Sequence, residues 1–166
     1  MRTLPSLKIV SKLVLFSAAF LAGAKSGTAQ NTSVWPTQCT ASSPVSPYEC
    51  IAQHQVRTDS NQVLFQISIV TREGQDGARL DLTAPLGFYI PGGVQIFRGD
   101  TLLLDLAVSR CTSNGCFAEI QLDDDDIDVL ARSSELRLAF LTNSETSADV
   151  SVPVAGLADS ISLITQ

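Results

Sequence analysis

The sequence predicts an all-β fold, an antiparallel β-sandwich, on three observations. Short apolar segments recur along the chain, and several alternate apolar with polar residues at the two-residue period of a half-buried strand. Clusters of glycine, proline, serine and asparagine separate these segments, as turns do. Helical periodicity is confined to short stretches in the last third of the chain, so the pattern favours two packed sheets.

The N-terminal residues 1–29 have the anatomy of a secretory signal peptide. Arg2, Lys8 and Lys12 make its start basic, residues 13–24 form an apolar run of twelve, and "GTA" provides a small-x-small cleavage site. A run of twelve is too short for a hydrocarbon core of ~30 Å, which needs ~20 helical residues. A retained membrane anchor is the alternative interpretation.

Cleavage at that site leaves residues 30–34 as an expected flexible lead-in and residues 35–166 as one domain. The whole chain has a formal net charge of −6. The mature chain keeps seven arginines, no lysine and all seventeen acids, a net charge near −10. Such a surface repels phosphate backbones and anionic lipid heads, so we expect no nucleic-acid partner and no membrane-surface binding. No later segment is apolar enough to span a membrane after signal cleavage.

Eight or nine strands are expected between the turn signals. In "QVLFQISIV", Val63, Phe65, Ile67 and Ile69 share one face, and "ARLDLTA" alternates Leu80 and Leu82 with polar residues. The expected strands, in order, are "CIAQHQVRT", "QVLFQISIV", "ARLDLTA", "GFYI", "VQIF", "TLLLDLAVS", "FAEIQL", "ELRLAFLT" and "ADVSVPV".

One or two short helices complete the expected fold. In "LDDDDIDVLARSS", Ile127, Leu130 and Ala131 have helical spacing, and the preceding aspartates are suited to cap the free N–H groups and complement the dipole. The segment "LADSISLI" is a candidate closing helix.

Four cysteines permit three disulfide connectivities, and an exported chain reaches an oxidising compartment. Cys39 and Cys50 flank a Pro/Ser-rich loop, while Cys111 and Cys116 flank "TSNG", which contains a turn-forming Asn-Gly. The spacing favours two local disulfides. A four-cysteine zinc site usually shows two C-x₂₋₄-C knuckles, and a thioredoxin-like couple needs C-x-x-C at a helix start, so both alternatives fit less well.

The second disulfide has a consequence for strand register. If Cys111 faces Cys116 directly, Leu106 and Val108 fall on the face opposite Ile120 and Leu122, although both sets are apolar. A β-bulge near Arg110 resolves the conflict by resetting the alternation, and we expect one there.

No catalytic or metal-binding constellation emerges. The run Asp123–Asp126 lacks the alternating spacing and glycine of a calcium loop, so a solvated helix start is the preferred interpretation. His54 is the sole histidine and lies in an expected strand. The sequence contains no G-x-S-x-G motif to expose a serine nucleophile that His54 could activate. Paired carboxylates remain possible in a chain with seventeen acids, but the single tryptophan, Trp35, is expected to pack an edge of the sandwich. We therefore expect no catalytic residues, cofactor or metal.

The chain resembles the invasion-associated locus B family of exported alphaproteobacterial proteins through an ordered set of short segments. In chain order these are "WPTQC", "YEC", "PLGFYIPGGVQIF", "CTSNGC", "LDDDDIDVL" and "VSVPVAGLADSISLI". The similarity covers residues 35–164. It implies an immunoglobulin-like β-sandwich with two local disulfides in the periplasm or outer envelope, and a link by name to host-cell invasion. It carries no catalytic residues. The chain departs from the family pattern at "ARSS" after the first helix and at "GLA" near the end.

We therefore expect an exported, non-enzymatic binder of a protein or envelope component, located in the periplasm, secreted, or at the outer envelope. Its sheet edges and its end loops, such as Gly87–Gly93 or Thr112–Gly115, are the expected contact surfaces. The alternatives are a structural or chaperone-like accessory protein of the periplasm and, less favoured, a small hydrolase or redox protein. The candidate interaction residues are Gly87, Tyr89, Pro91, Gly92 and Gly93 in one loop and Ser113 and Asn114 in the other.

Overall fold

A computed structural model describes residues 35–41 and 43–165. The expected signal peptide and lead-in lie outside the described residues. The described residues form two antiparallel sheets, and the predicted all-β sandwich is confirmed. The strands are β1 Thr37–Thr40, β2 Glu49–Arg57, β3 Val63–Arg72, β4 Ala78–Ala84, β5 Val94–Arg98, β6 Thr101–Leu106, β7 Val108–Thr112, β8 Gly115–Leu122, β9 Leu136–Leu141 and β10 Ser147–Val152.

The larger sheet has six strands in the order β1-β2-β3-β4-β8-β7. Its inner face follows the predicted alternation: Phe65, Ile67 and Ile69 are buried, and β4 alternates buried with half-buried residues along its whole length. Val63 is 44% exposed, because a register irregularity between Val56 and Arg57 interrupts the pairing beside it. The expectation that Val63 shares the buried face is therefore wrong.

The smaller sheet has four strands in the order β10-β9-β5-β6. The segment "TLLLDLAVS" was expected to be one strand, but it forms β6 in the smaller sheet and β7 in the larger one. The chain passes between the sheets at Ala107. Leu104 and Leu106 are buried before the crossing, and Val108 packs against the same core after it. The alternation is continuous, so the sequence pattern carries no sign of the crossing.

Two other short segments differ from expectation. "GFYI" is not a strand; it leads into a 3₁₀ turn at Ile90–Gly92, where Pro91 fixes a backbone torsion suited to a turn. Conversely, β1 was not expected. Its sequence "TQCT" lacks apolar alternation, and the strand exists because it pairs with β2 at the sheet edge.

Both predicted helices are present, as α1 Asp124–Ala131 and α2 Leu157–Ile164. Asp123 caps α1: its carboxylate accepts from the Asp126 backbone N–H, and the Asp126 carboxylate accepts from the Asp123 N–H. This reciprocal capping box satisfies two N–H groups that a helix start otherwise leaves free. The predicted role of the acidic run at a helix start is confirmed.

The two predicted disulfides are present, Cys39–Cys50 and Cys111–Cys116. Each joins an edge strand of the larger sheet to its inner neighbour, because Cys39 lies opposite Cys50 across β1–β2 and Cys111 opposite Cys116 across β7–β8. The register of β7 against β8 shifts between Val108 and Arg110, which is the predicted bulge. Both exposed edges of this sheet are thereby covalently fixed.

Candidate functional site

Residues 85–93 and 112–115, which we call the loop end, meet at one end of the sandwich. β4 ends at Ala84, which pairs with Cys116 at the start of β8, so the first segment departs beside the disulfide. Gly115 makes this approach possible: a Cβ at that position would lie 2.6 Å from the Ala84 carbonyl oxygen, and its φ is +133°. The structure thus places both predicted interaction loops at the same end.

Backbone contacts hold residues 85–93 in place. The Tyr89 N–H donates to the Leu141 carbonyl oxygen at 2.8 Å, at the end of β9. A Cβ on Gly92 would come within 2.9 Å of Leu141 Cδ1, and one on Gly93 within 2.6 Å of the Leu106 carbonyl oxygen. Gly93 also has a φ of +62°, which a side chain disfavours. Gly93 is buried, so this candidate residue supports the loop conformation and does not lie at the surface.

One aromatic side chain of the loop end reaches into the core. The Phe88 ring packs edge-on against Phe140 with centroids 6.4 Å apart, and Phe140 packs in turn against the buried Phe65 at 5.1 Å. Such edge-to-face contacts fix ring orientation as well as bury area. Phe88 therefore anchors the loop and leaves its neighbours turned outward.

Those neighbours are exposed apolar side chains. Leu86 is 57% exposed, Ile90 44% and Tyr89 37%, all within five consecutive residues. The sequence predicts an interaction role for Tyr89 but not for Leu86 or Ile90. All three lie in "PLGFYIPGG", an apolar run broken by glycine and proline, whose pattern indicates a strand and a turn. Apolar side chains grouped at a surface are typical of interaction sites.

The second part of the loop end is the turn of the Cys111–Cys116 disulfide. Cys116 is buried and Cys111 exposed, so the bond connects the core to the surface strand β7. The Thr112 hydroxyl accepts from the Asn114 backbone N–H at 3.1 Å and shapes the turn. Ser113 and Asn114 are exposed beyond it.

The loop end is free of charged side chains. Residues 84–97 include no acid or base, and neither do residues 111–118. This is notable in a chain with seventeen acids. An uncharged, apolar-tipped surface avoids both the desolvation cost and the repulsion that acidic groups would bring to an interface.

A different kind of site lies at the opposite end of the sandwich. A cavity of about 530 Å³ is bounded by the Cys39–Cys50 disulfide, the β3–β4 turn and the ends of both helices. Its carboxylates, Glu73, Asp76 and Asp124, are all exposed to solvent. The backbone N–H of Tyr48 donates to the Glu73 carboxylate at 3.1 Å, so this acid has a structural partner.

His54 and Trp35 form a structural contact in the core. Their ring centroids are 5.4 Å apart, and Trp35 is only 2% exposed. The indole N–H donates to the Pro153 carbonyl oxygen at 2.8 Å, and the Trp35 carbonyl accepts from the Ser160 hydroxyl at 2.6 Å. Trp35 was expected at an edge; it instead ties the chain before β1 to the segment around α2.

Within residues 35–41 and 43–165, no group of three or more histidine, cysteine, aspartate or glutamate side chains is arranged to hold a metal ion. No helix in this part of the chain has the length and hydropathy to cross a membrane.

The fold and the loop end define a disulfide-clamped β-sandwich with an uncharged, apolar-tipped loop surface. Residues 35–164 match the invasion associated locus B (IalB) protein family, and the chain belongs to that family. The crystal structure of invasion associated protein b from Bartonella henselae has a similar fold, with a TM-score of 0.67 at 18% sequence identity, covering 80% of this chain and 91% of that one. No curated protein sequence matches this chain.

Proposed function

We propose that this protein is exported and acts as a non-enzymatic binder that docks a protein or envelope component on its loop end. The single observation that carries the proposal is the group of exposed apolar side chains, Leu86, Tyr89 and Ile90, on a loop whose backbone is fixed. A preorganised apolar surface binds without first losing loop entropy.

Two features support export: the sequence of the N-terminal residues and the pairing of the cysteines. The N-terminal residues have the pattern of a signal peptide. All four cysteines are paired in disulfides, which persist in oxidising compartments such as the periplasm and the extracellular space. We therefore propose a periplasmic, secreted or outer-envelope location.

A non-enzymatic role is favoured by the surroundings of the ionisable groups. A catalytic carboxylate usually owes its altered pKa to burial or a close charge, yet the acids around the 530 Å³ cavity are exposed. The His54 ring packs against the Trp35 ring, with the two centroids 5.4 Å apart, as a structural side chain does. These positions suit structural roles better than a hydrolase.

The family name links the group to invasion, and host association is one process that a loop-end partner could serve. The alternative is a chaperone-like accessory protein, since exposed apolar side chains also suit transient contact with unfolded chains. The two functions differ in how many partners they require.

A capture experiment from envelope extract separates them. The mature protein is compared with the double variant Tyr89→Ser/Ile90→Ser, and with the control Tyr48→Ser at the opposite end. We expect one stable partner, retained by wild type and control but lost by the double variant. Many unfolded clients would favour the accessory role, and an unchanged partner in the double variant would refute the loop-end site.

A further inference from the structure

The outer face of the six-stranded sheet is mostly polar, although Val70 on β3 is buried within it. On β2, β3 and β8 the outward positions carry Gln53, Gln55, Gln66 and Gln121, which alternate with the buried inner residues. The amide of Gln55 donates to the Gln66 side-chain oxygen at 3.2 Å across β2–β3. The face therefore carries four side-chain amides beside its charged residues.

An ion pair lies at the centre of this face. Arg79 Nε donates to Asp81 Oδ1 at 2.7 Å, and Nη2 donates to Oδ2 at 2.9 Å. The hydrogen bonds that Arg79 donates to the Asp81 carboxylate raise the pKa of Arg79. Arg–carboxylate pairs with two parallel bonds are geometrically fixed, and the Arg79 and Asp81 side chains are each 37% exposed.

A depression of about 310 Å³ borders this pair. Ser68, only 8% exposed, lies at its floor beside Asp81 and Gln66. Its far wall is Phe117, whose ring carries the Arg110 guanidinium 4.8 Å from the centroid. The depression thus combines hydroxyl, amide, carboxylate and guanidinium groups with one aromatic ring.

The charges of this face cancel. Arg79 and Arg110 balance Asp81 and Glu119, in a chain with seven arginines after residue 30 against seventeen acids. Asp81 and Glu119 repel an anionic ligand. The two arginines repel a cationic ligand, which is attracted instead to the acidic run before α1. A neutral ligand rich in paired donors and acceptors matches the face best.

We propose that the outer face of the six-stranded sheet, around Arg79–Asp81 and its flanking glutamines, is a binding site for a neutral oligosaccharide. Each sugar hydroxyl both donates and accepts, as do the side-chain amides and Ser68. The fixed ion pair supplies a donor and an acceptor side by side, suited to neighbouring hydroxyls. The site is built from other residues than the loop end, so either proposal can fail alone.

The test is an NMR titration of the mature protein with millimolar maltotriose, xylotriose and N,N′,N″-triacetylchitotriose as probes. The expected result is that at least one trisaccharide shifts the side-chain amide signals of Gln53, Gln55, Gln66 and Gln121, while Gln95 on the other sheet stays unmoved. Oligolysine and a sulfated trisaccharide are run in parallel. Shifts at this face with only a charged probe, or with none, would overturn the proposal.

Variants then localise the binding. Arg79→Gln/Asp81→Asn removes both charges but keeps polar side chains, and is expected to weaken trisaccharide binding about tenfold or more, because a site that hydrogen-bonds hydroxyls depends on each partner. Glu119→Gln, at an exposed position, gives a second measurement if the double variant folds poorly. Arg137→Gln is the matched control: its guanidinium stacks on Phe97 at 4.7 Å on the opposite sheet. Equal weakening by this control would contradict the assignment.

Discussion

Ala84 pairs directly with Cys116, so the strand that leads into residues 85–93 is fixed beside the buried half of the Cys111–Cys116 disulfide. The disulfide and the apolar loop are therefore parts of one structure. The bond also holds β7, an edge strand of five residues, which pairs only with β8. We propose that the Cys111–Cys116 bond preserves the shape of the loop end.

The first prediction compares the two disulfides. Cys111→Ser/Cys116→Ser opens a loop with a sequence separation of 5, and Cys39→Ser/Cys50→Ser one of 11. By the chain-entropy relation the free energy of unfolding should fall by about 2 and about 3 kcal/mol respectively. Urea unfolding measures both.

Hydrogen exchange adds a local measurement to that comparison. Opening Cys111–Cys116 should speed exchange in β7 and leave β1 unchanged, with the reverse for the other pair. Uniform acceleration in both strands by either change would show that the disulfides stabilise the whole domain rather than its edges.

The second prediction concerns Gly93. Gly93→Ala places a Cβ 2.6 Å from the Leu106 carbonyl oxygen at a φ of +62°. Combined overlap and backbone strain should lower the free energy of unfolding by about 3 kcal/mol. Gly87→Ala is the control: its φ is +103°, but a Cβ there meets nothing within 4 Å. Strain alone predicts a loss of about 1 kcal/mol. Equal losses in thermal unfolding would mean that the close approach to Leu106 is unimportant.

A third prediction tests the Trp35 anchor. Trp35→Phe removes the N–H that donates to the Pro153 carbonyl oxygen at 2.8 Å and leaves space in the core. We expect the free energy of unfolding to fall by about 2 kcal/mol, measured by circular dichroism in urea because the only tryptophan is lost. Tyr48→Phe, at a position 58% exposed, should change it by less than about 0.5 kcal/mol. A neutral Trp35→Phe would contradict the anchoring role.

The fourth prediction distinguishes capping from acidity in the run before α1. Asp123→Ala removes the carboxylate that accepts from the Asp126 N–H and should cost about 1 kcal/mol of stability. Asp125→Ala removes the same charge from the first turn without touching the cap, and should cost less than about 0.5 kcal/mol. Matching changes in melting temperature would show that charge, not the capping box, stabilises the helix.

The parts of the fold that the sequence predicts well are governed by local chemistry. β4 spans the predicted "ARLDLTA" because alternation alone specifies a half-buried strand. Asp123 caps α1 because its carboxylate needs only the N–H three residues on. The cysteine spacing and the Asn114-Gly115 turn predict the second disulfide for the same reason.

The parts that it predicts poorly depend on distant partners. β1 exists through its pairing with β2, and the crossing at Ala107 leaves the apolar alternation intact, so neither has a local signal. Leu86 and Ile90 look like core residues in the sequence. Their exposure arises because Phe88 occupies the core position against Phe140, which no local pattern reveals.

The two tyrosines of the chain give the most direct test of the loop-end proposal. Tyr89 lies at the loop end, and Tyr48 lines the cavity at the opposite end. Each is replaced in turn by a photo-crosslinking phenylalanine analogue, and crosslinks are formed in intact cells that export the protein. We expect one discrete adduct from position 89 and none of that mass from position 48. The same adduct from both positions, or an adduct from position 48 alone, would contradict the loop-end proposal.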